Sequence, residues 1–550
     1  MSTILERLTA QLAYWHAQRV YRRFRHALRD PRAAQERALG RALAVVRDSA
    51  FGRGLALARV RSVDDFRRAV PLQRYDDLRA AIERVCDGDI GALLSPAQRP
   101  LMFATTSGTT SAAKYIPVTP AFVADYRSGW NTFGLKMLSD HRGAILRSIL
   151  QSTGRMNESR TASGVPCGAI TGLMARMQKG IVRRYYVGGP ELADLVDPRA
   201  RYYALMRLGV LRDVAFAITA NPATLIQLAR VADEESERLI RDVRDGTLSS
   251  DLIAEPRVRA ALAPRLRPNA ARAAELDALR RRHGVLRPRD YWRIEFLACW
   301  TGGSLRHYLP RLAEWWGAAP VRDIGLLASE GRVTIPLADG TPAGVLDVVH
   351  SFFEFIPVEH ATAAAPPTLL LDELEPGHDY AVVLSNTSGL LRYRLDDVVH
   401  VHRGVERVPQ VEFLYRAGRV SSVAGEKLTE NQIVAAMSAA QASLGLAGVD
   451  FVAAPCWGDP PFYRVSVFGT VPTALAAALD QALRSANGEY DSRRKSMRLE
   501  ALTVRSCPVE ALQAIDQRLL AERRSSIEQY KRPCLLTRVG ADDELLAPPA

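Results

Sequence analysis

Leu5, Leu8, Leu12 and Trp15 fall at helical spacing in an arginine-rich opening segment, a pattern that predicts an amphipathic helix. Such a helix can lie on a membrane, but the expectation is that it docks on its own domain. Residues 30–95 read as further helices with a polar turn at Asp87-Gly88-Asp89. At residues 100–106 the pattern becomes strand-like and runs into a cluster of hydroxyls. Thr119 and Pro120 then offer an N-cap and a first-turn proline for a helix over 120–139. Residues 190–290 are mostly helical in pattern and are assigned to helices covering a sheet. Short apolar runs at 294–300, 321–327, 368–371, 380–384 and 397–401, separated by Gly, Pro and Asn turns, predict strands. After Gly418-Arg419 the order is a helix near 429–442, strands at 449–453 and 463–468, a helix at 472–486 and a last helix before Gln529. Together these predict an α/β protein with a large domain over 1–420 and a small α+β domain over 421–550.

The chain has 550 residues, more than one core serves, which supports that division. Hydrophobic residues at 47% and charged residues at 24%, with no low-complexity tract, place it among globular proteins. No apolar leader or membrane span is legible, and the six cysteines lie far apart in the chain. Reduced thiols, rather than disulfides or a zinc site, and a cytoplasmic location are therefore expected. The formal net charge of +13 raises nucleic acid as a partner, but the basic residues are spread out and no recognition motif accompanies them. Only six of the 73 basic residues are lysines. A retained lysine marks a place where a compact ammonium is wanted, and Lys114, Lys427 and Lys531 fall within chemistry-bearing segments.

Five such segments stand out. Thr105 to Lys114 gathers Thr106, Ser107, Gly108, Thr109 and Thr110 on one loop ending in a lysine. Backbone N–H and side-chain O–H groups there can surround phosphate oxygens while the ammonium neutralises charge. It is not a Walker loop, which needs a glycine before the lysine and Ser or Thr after it. Ser329-Glu330 ends an apolar run, where a carboxylate can hold Mg²⁺ with phosphates and water completing the shell. In Arg392-Tyr393-Arg394-Leu395-Asp396-Asp397 a carboxylate at a turn can accept ribose hydroxyls, leaving the arginines free for phosphate. Gly418 to Ser422, followed by Glu426-Lys427-Leu428-Thr429-Glu430, lies at the domain junction, and Lys531 stands before Arg532-Pro533. Each segment also has a bland reading, as surface loop, solvated acid, ion pair, hinge or basic tail.

Their order and spacing resemble the plant auxin-responsive acyl acid amido synthetases and their bacterial relatives, within the adenylate-forming superfamily that includes acyl-CoA ligases. The resemblance spans nearly the whole chain. It also includes Tyr75-Asp76-Asp77-Leu78, Arg244-Asp245-Gly246-Thr247-Leu248, Thr301-Gly302-Gly303-Ser304, Pro409-Gln410-Val411-Glu412-Phe413 and Gln529-Tyr530-Lys531. It implies a large N-terminal domain of mixed sheets and a β-barrel flanked by helices, and a mobile C-terminal domain. It implies ATP and Mg²⁺ as cofactors, with Thr106 to Lys114 as phosphate loop, Ser329 and Glu330 for nucleotide and magnesium, and Asp397 for ribose with Arg419 assisting. Gly302 and Tyr393 would line the nucleotide site, Ser421 and Ser422 would be the hinge, and Lys114 and Lys531 would be catalytic. The implied reaction forms an acyl-AMP from a carboxylic acid and passes the acyl group to an amine, an amino acid in the plant enzymes. The implied partners are these small molecules, with no stable membrane insertion and a monomer or weak oligomer. Three positions depart from the pattern: Ser111 for a glycine, Leu326 for an adenine-stacking aromatic and Asp396 for a glycine. An acyl-CoA ligase and a non-catalytic nucleotide-binding homologue therefore stay open as alternatives.

Overall fold

In the computed structural model, described residues are 4–106, 114–178, 180–361, 363, 365–416, 420–424, 426–446, 448–512, 514–516 and 532–546. Three larger sheets and a two-stranded hairpin make up the β-structure described before residue 420. A four-stranded parallel sheet runs Ser148–Gln151, Val214–Ile218, Phe296–Ala298, Val321–Arg322. Val214–Ile218 is buried at every position, which is why no alternation betrays it in the sequence. Helices Pro198–Gly209, Pro222–Glu234, Ser236–Asp245, Ala270–His283 and Leu309–Trp316 cover this sheet and share one apolar core. The helical reading of 190–290 thus holds around one strand that it missed.

The second sheet is antiparallel, in the order Thr334–Ile335, Gly344–Leu346, Val408–Arg416, Tyr393–Val405, Asp379–Ser385, Phe352–Pro357. The third joins Lys114–Val118, Met102–Thr106, Pro166–Gly168 and Ser159–Arg160. Helix Pro120–Asp140 begins as the sequence predicts: Thr119 Oγ1 accepts from the Phe122 amide at 3.0 Å and Pro120 opens the first turn. Phe122 and Phe133 on this helix, and Phe352 on the antiparallel sheet, are core residues.

Residues 430–546 carry their own sheet, with Phe462–Phe468 between antiparallel Asp450–Cys456 and parallel Thr503–Cys507. Helices Glu430–Ser443, Ala474–Ala486 and Gly488–Lys495 pack on it. The first carries a capping box formed by Thr429 and Gln432. The helix expected before Gln529 lies outside the described residues.

Three readings need correction. Helix Ile4–Arg29 docks through Ala17, Phe24 and Leu28, whereas Leu8, Leu12 and Trp15 are exposed. The apolar stripe that identified the helix is therefore not its docking face. Residues 368–371 form only a bridge between Leu369 and Phe355 and then enter the turn Leu371–Glu373. The apolar run 321–327 is not one strand, because the chain leaves the parallel sheet at Asp323 and bends at Gly325, whose φ is +89°. The bend places a Gly325 Cβ, were there one, 2.4 Å from the Thr334 carbonyl oxygen, so the turn requires glycine.

Candidate active site

The hydroxyl loop is the connection of a hairpin. Met102–Thr106 pairs antiparallel with Lys114–Val118, and Thr106 stands opposite Lys114, so that lysine is fixed where the loop returns. Ser107, Gly108, Thr109 and Thr110 lie outside the described residues, as do Ser111, Arg419 and Lys531. The Lys114 ammonium sits 5.5 Å from the centre of the Tyr75 ring, and Tyr75 is itself held by the Tyr115 amide, which donates to its hydroxyl at 2.8 Å. Burial pushes the Lys114 pKa down and Arg416 adds to the shift, while Glu330 and Asp396 pull it back up.

Ser329 and Glu330 occupy the two-residue turn of a small hairpin, Leu327–Ala328 against Gly331–Arg332. The Glu330 carbonyl accepts from Asn386 Nδ2 at 2.6 Å. A Cβ on Gly331 would meet that same nitrogen at 2.8 Å, so glycine after the glutamate lets the asparagine reach in. Glu330 is buried, not a solvated loop acid. Its Oε1 accepts from the Tyr393 hydroxyl at 3.5 Å, and among the described residues no cationic side chain stands within ion-pair distance of it.

Asp397 lies within strand Tyr393–Val405, opposite Arg416 on the neighbouring strand, with 3.9 Å between Arg416 Nε and its carboxylate. The turn expected here is instead a kink at Asp396, whose φ of +59° is left-handed. That geometry accounts for the glycine usual at this place; aspartate tolerates it better than most residues. Arg74 and Arg394 pair with the Asp396 carboxylate at 3.2 and 3.4 Å. Arg416 is the residue that sequence reasoning missed. Burial alone would lower its pKa, but Asp397, Glu330 and the Tyr393 and Asp396 groups outweigh it and raise the value. One guanidinium thus feels both candidate carboxylates and the field at Lys114.

The arginines flanking Tyr393 are not free for phosphate. Arg392 is buried and donates to both Glu354 oxygens at 2.9 Å and to the Val70 carbonyl at 2.9 Å. Arg394 donates to the Ala361 carbonyl at 2.7 Å. Both are structural. Gly302 sits against the Val408–Arg416 strand, where a Cβ would lie 3.5 Å from the Phe413 carbonyl oxygen. Asp323, a second residue missed, ties this loop to the next: its carboxylate accepts from the Thr301 amide and hydroxyl at 2.6 and 2.8 Å and from the Gly325 amide at 2.6 Å. Leu326 is half-buried beside that bend. The structure thus gathers Lys114, Glu330, Tyr393 and Asp397 around Arg416, with Gly302 on the adjoining loop.

Ser421 is buried in a short hairpin, paired with Leu428, and its hydroxyl donates to the Tyr463 hydroxyl oxygen, 2.9 Å away. Tyr463 also donates to Glu426, whose carboxylate takes the Val423 and Ala424 amides at 2.8 and 2.7 Å. Ser421 is thereby bound to the C-terminal unit, and Ser422 beside it is exposed.

Three family models match in order along the chain: the GH3 family N-terminal domain over residues 20–321, the central domain over 344–416 and the C-terminal domain over 431–539. The chain belongs to the GH3 family. Among curated GH3 relatives it is 27% identical over 421 residues to a probable indole-3-acetic acid-amido synthetase GH3.1 of Oryza sativa subsp. japonica, covering 72% of this chain and 68% of that one. It is 24% identical over 396 residues to jasmonoyl--L-amino acid synthetase JAR4 of Nicotiana attenuata, covering 68% and 67%. Among solved GH3 structures, a GH3.15 acyl acid amido synthetase superposes with a TM-score of 0.83 at 20% identity, over 95% of this chain and 94% of that one. At that identity the superposition speaks for the fold. The expected family membership and α/β fold class are both found.

Proposed function

We propose that this GH3 protein is an ATP-dependent acyl acid amido synthetase. A carboxylate oxygen of the acid attacks the α-phosphorus of ATP, the bond to pyrophosphate breaks, and an acyl-AMP remains. The amine nitrogen then attacks the acyl carbon, the bond to AMP breaks, and the amine gives up a proton. An amino acid is the amine handled by relatives such as the jasmonoyl--L-amino acid synthetase. The observation that carries the reading is Glu330: a buried carboxylate with no cationic partner among the described residues. Burying a charge is costly unless something compensates it, and a divalent cation arriving with the nucleotide is that compensation.

The residues present fit magnesium. The described residues hold no cluster of three metal-ligating side chains, and magnesium bound with a nucleotide needs only one or two carboxylates besides phosphate. Glu330 would hold it, and the ion would supply charge neutralisation along the phosphates when bound. Lys114 and Arg416 would bind phosphate oxygens, with residues 106–110 wrapping them, and Asp397 would take ribose hydroxyls. By the family resemblance Lys531 would stabilise charge at the α-phosphate, Arg419 would assist, and a C-terminal domain beginning near residue 421 would turn about Ser421 and Ser422 between the two steps. Within the described residues no helix is long and apolar enough to cross a membrane; a cytoplasmic location and a monomer or weak oligomer are part of the same proposal.

The test is ATP–pyrophosphate exchange driven by a panel of carboxylic acids, followed by mass detection of product with amino acids or coenzyme A supplied in turn. Exchange with at least one acid and amide product support the reading. No exchange with any acid, despite ATP binding, would leave a non-catalytic homologue, and a thioester product would make it an acyl-CoA ligase. Lys531→Ala should slow adenylation on the order of 10²-fold or more while sparing reaction of a supplied acyl adenylate.

A further inference from the structure

A second charged cluster lies away from the nucleotide site, where helix Leu309–Trp316 and the preceding turn Gly303–Tyr308 meet the C-terminal sheet. Arg311 projects from that helix and donates to Asp450, the first residue of strand Asp450–Cys456, at 2.6 Å. It also donates to the Gly448 carbonyl. From the other side Arg532 lies 3.5 Å from the remaining Asp450 oxygen and 3.2 Å from Asp516. Its Nη2 donates to the Tyr308 hydroxyl at 3.0 Å. Asp450 and Arg532 side chains are more than nine-tenths buried.

Two features make this more than surface pairing. Gly448 has a φ of +59° and a Cβ there would lie 2.9 Å from Arg311 Nε, so the backbone is shaped to admit the guanidinium. Between the two units Tyr308, Asp450 and Arg532 line a cavity of about 10 Å³, room for one water. The next residues of the chain are also pinned: the Cys534 amide donates to Glu430 at 2.6 Å, and its carbonyl accepts from the Ala453 amide at 2.8 Å. Arg532 is therefore anchored on both units, and the residue bonded to it in the chain is Lys531.

We propose that Arg311, Asp450, Arg532 and Tyr308 form an interdomain clamp, with Arg532 as a positioning residue that governs how the protein divides its time between the two half-reactions. The inference rests on the two-step reading above. Arg311 and Tyr308 belong to the N-terminal domain, and Asp450 and Arg532 to the region matched by the C-terminal family model. Any rotation of one against the other must break the 2.6 and 3.0 Å bonds between them. The clamp thus stabilises this arrangement over the alternative, and releasing it shifts the population toward the other.

Arg311→Ala, Arg311→Lys and Tyr308→Phe would be compared with wild type in pyrophosphate exchange and in amide formation from a supplied acyl adenylate. The expected result for Arg311→Ala is a change in the ratio of the two rates on the order of tenfold. Arg311→Lys should recover most of it, and Tyr308→Phe should shift the ratio in the same direction by less. Equal losses in both half-reactions, or an unchanged ratio, would overturn the proposal, since a merely structural residue slows both alike. Small-angle scattering supplies a readout independent of turnover: Arg311→Ala should broaden the distance distribution relative to wild type. A wild-type protein without exchange would sink the adenylation reading alone; unchanged scattering in the variant would sink the clamp.

Discussion

Glu330 and Glu354 are both buried carboxylates on the N-terminal side of residue 420, and they could hardly be treated more differently. Glu354 accepts from Arg392 at both oxygens and from Thr368 Oγ1 at 2.8 Å, with Arg67 3.5 Å away. Glu330 has a 3.5 Å hydroxyl and no cationic partner among the described residues. A charge whose partners are all in place is cement. One buried without such partners is, on the function proposed above, a place kept for a ligand that brings the compensating charge.

The comparison breaks if the two behave alike on mutation. Glu354→Gln should cost about 3–5 kcal/mol of stability, since it leaves the buried Arg392 guanidinium without its charge partner; denaturant unfolding measures it. Glu330→Gln should instead leave stability within about 1 kcal/mol or raise it, because a buried charge is removed. The same change should slow acid-dependent pyrophosphate exchange on the order of 100-fold or more, as expected for a ligand to a catalytic ion.

Lys114 sharpens the comparison through pH. Its folded pKa is lowered below 10.5, chiefly by burial. The folded form sheds its proton before the unfolded one does, so between the two values the unfolded chain binds more protons and stability rises with pH. Lys114→Met should flatten that rise in thermal unfolding. ATP affinity of the free protein should fall on the alkaline side with a midpoint below 10.5, and Lys114→Arg should move that midpoint upward. The smallest effect is expected at Asp396→Gly. Glycine relieves the left-handed backbone but forfeits the Arg74 and Arg394 pairs, so stability should change by no more than about 1 kcal/mol, with exchange activity retained.

What the sequence disclosed was local or ordered along the chain. The Thr119-Pro120 helix start, the helix near 429–442 and the strand–helix alternation after residue 420 depend on neighbours a few positions away, and the motif order carried the family resemblance. What it concealed depends on distant partners. Nothing in Leu391 to Asp397 tells that Arg392 and Arg394 are consumed by Glu354 and Ala361, from strand and loop some 30 to 40 positions upstream. Asp323 reads as one more loop acid until the Thr301 and Gly325 amides close on it. Arg416 looks like the end of a strand, and only the pairing of Tyr393–Val405 with Val408–Arg416 sets it opposite Asp397. On the opening helix the apolar stripe was read correctly as helical, but a helix offers several faces and periodicity does not name the one that packs.

The cysteines carry a practical consequence. Five of the six thiols are buried, and burial lifts the sixth, Cys86, to about 12, so little thiolate forms at neutral pH for an alkylating dye to capture. The native chain is accordingly almost silent to maleimide chemistry. Two cysteines engineered at exposed positions, one on each unit, would carry a donor and an acceptor fluorophore with little background labelling, and the distance between them in single molecules would report directly on the rotation proposed above.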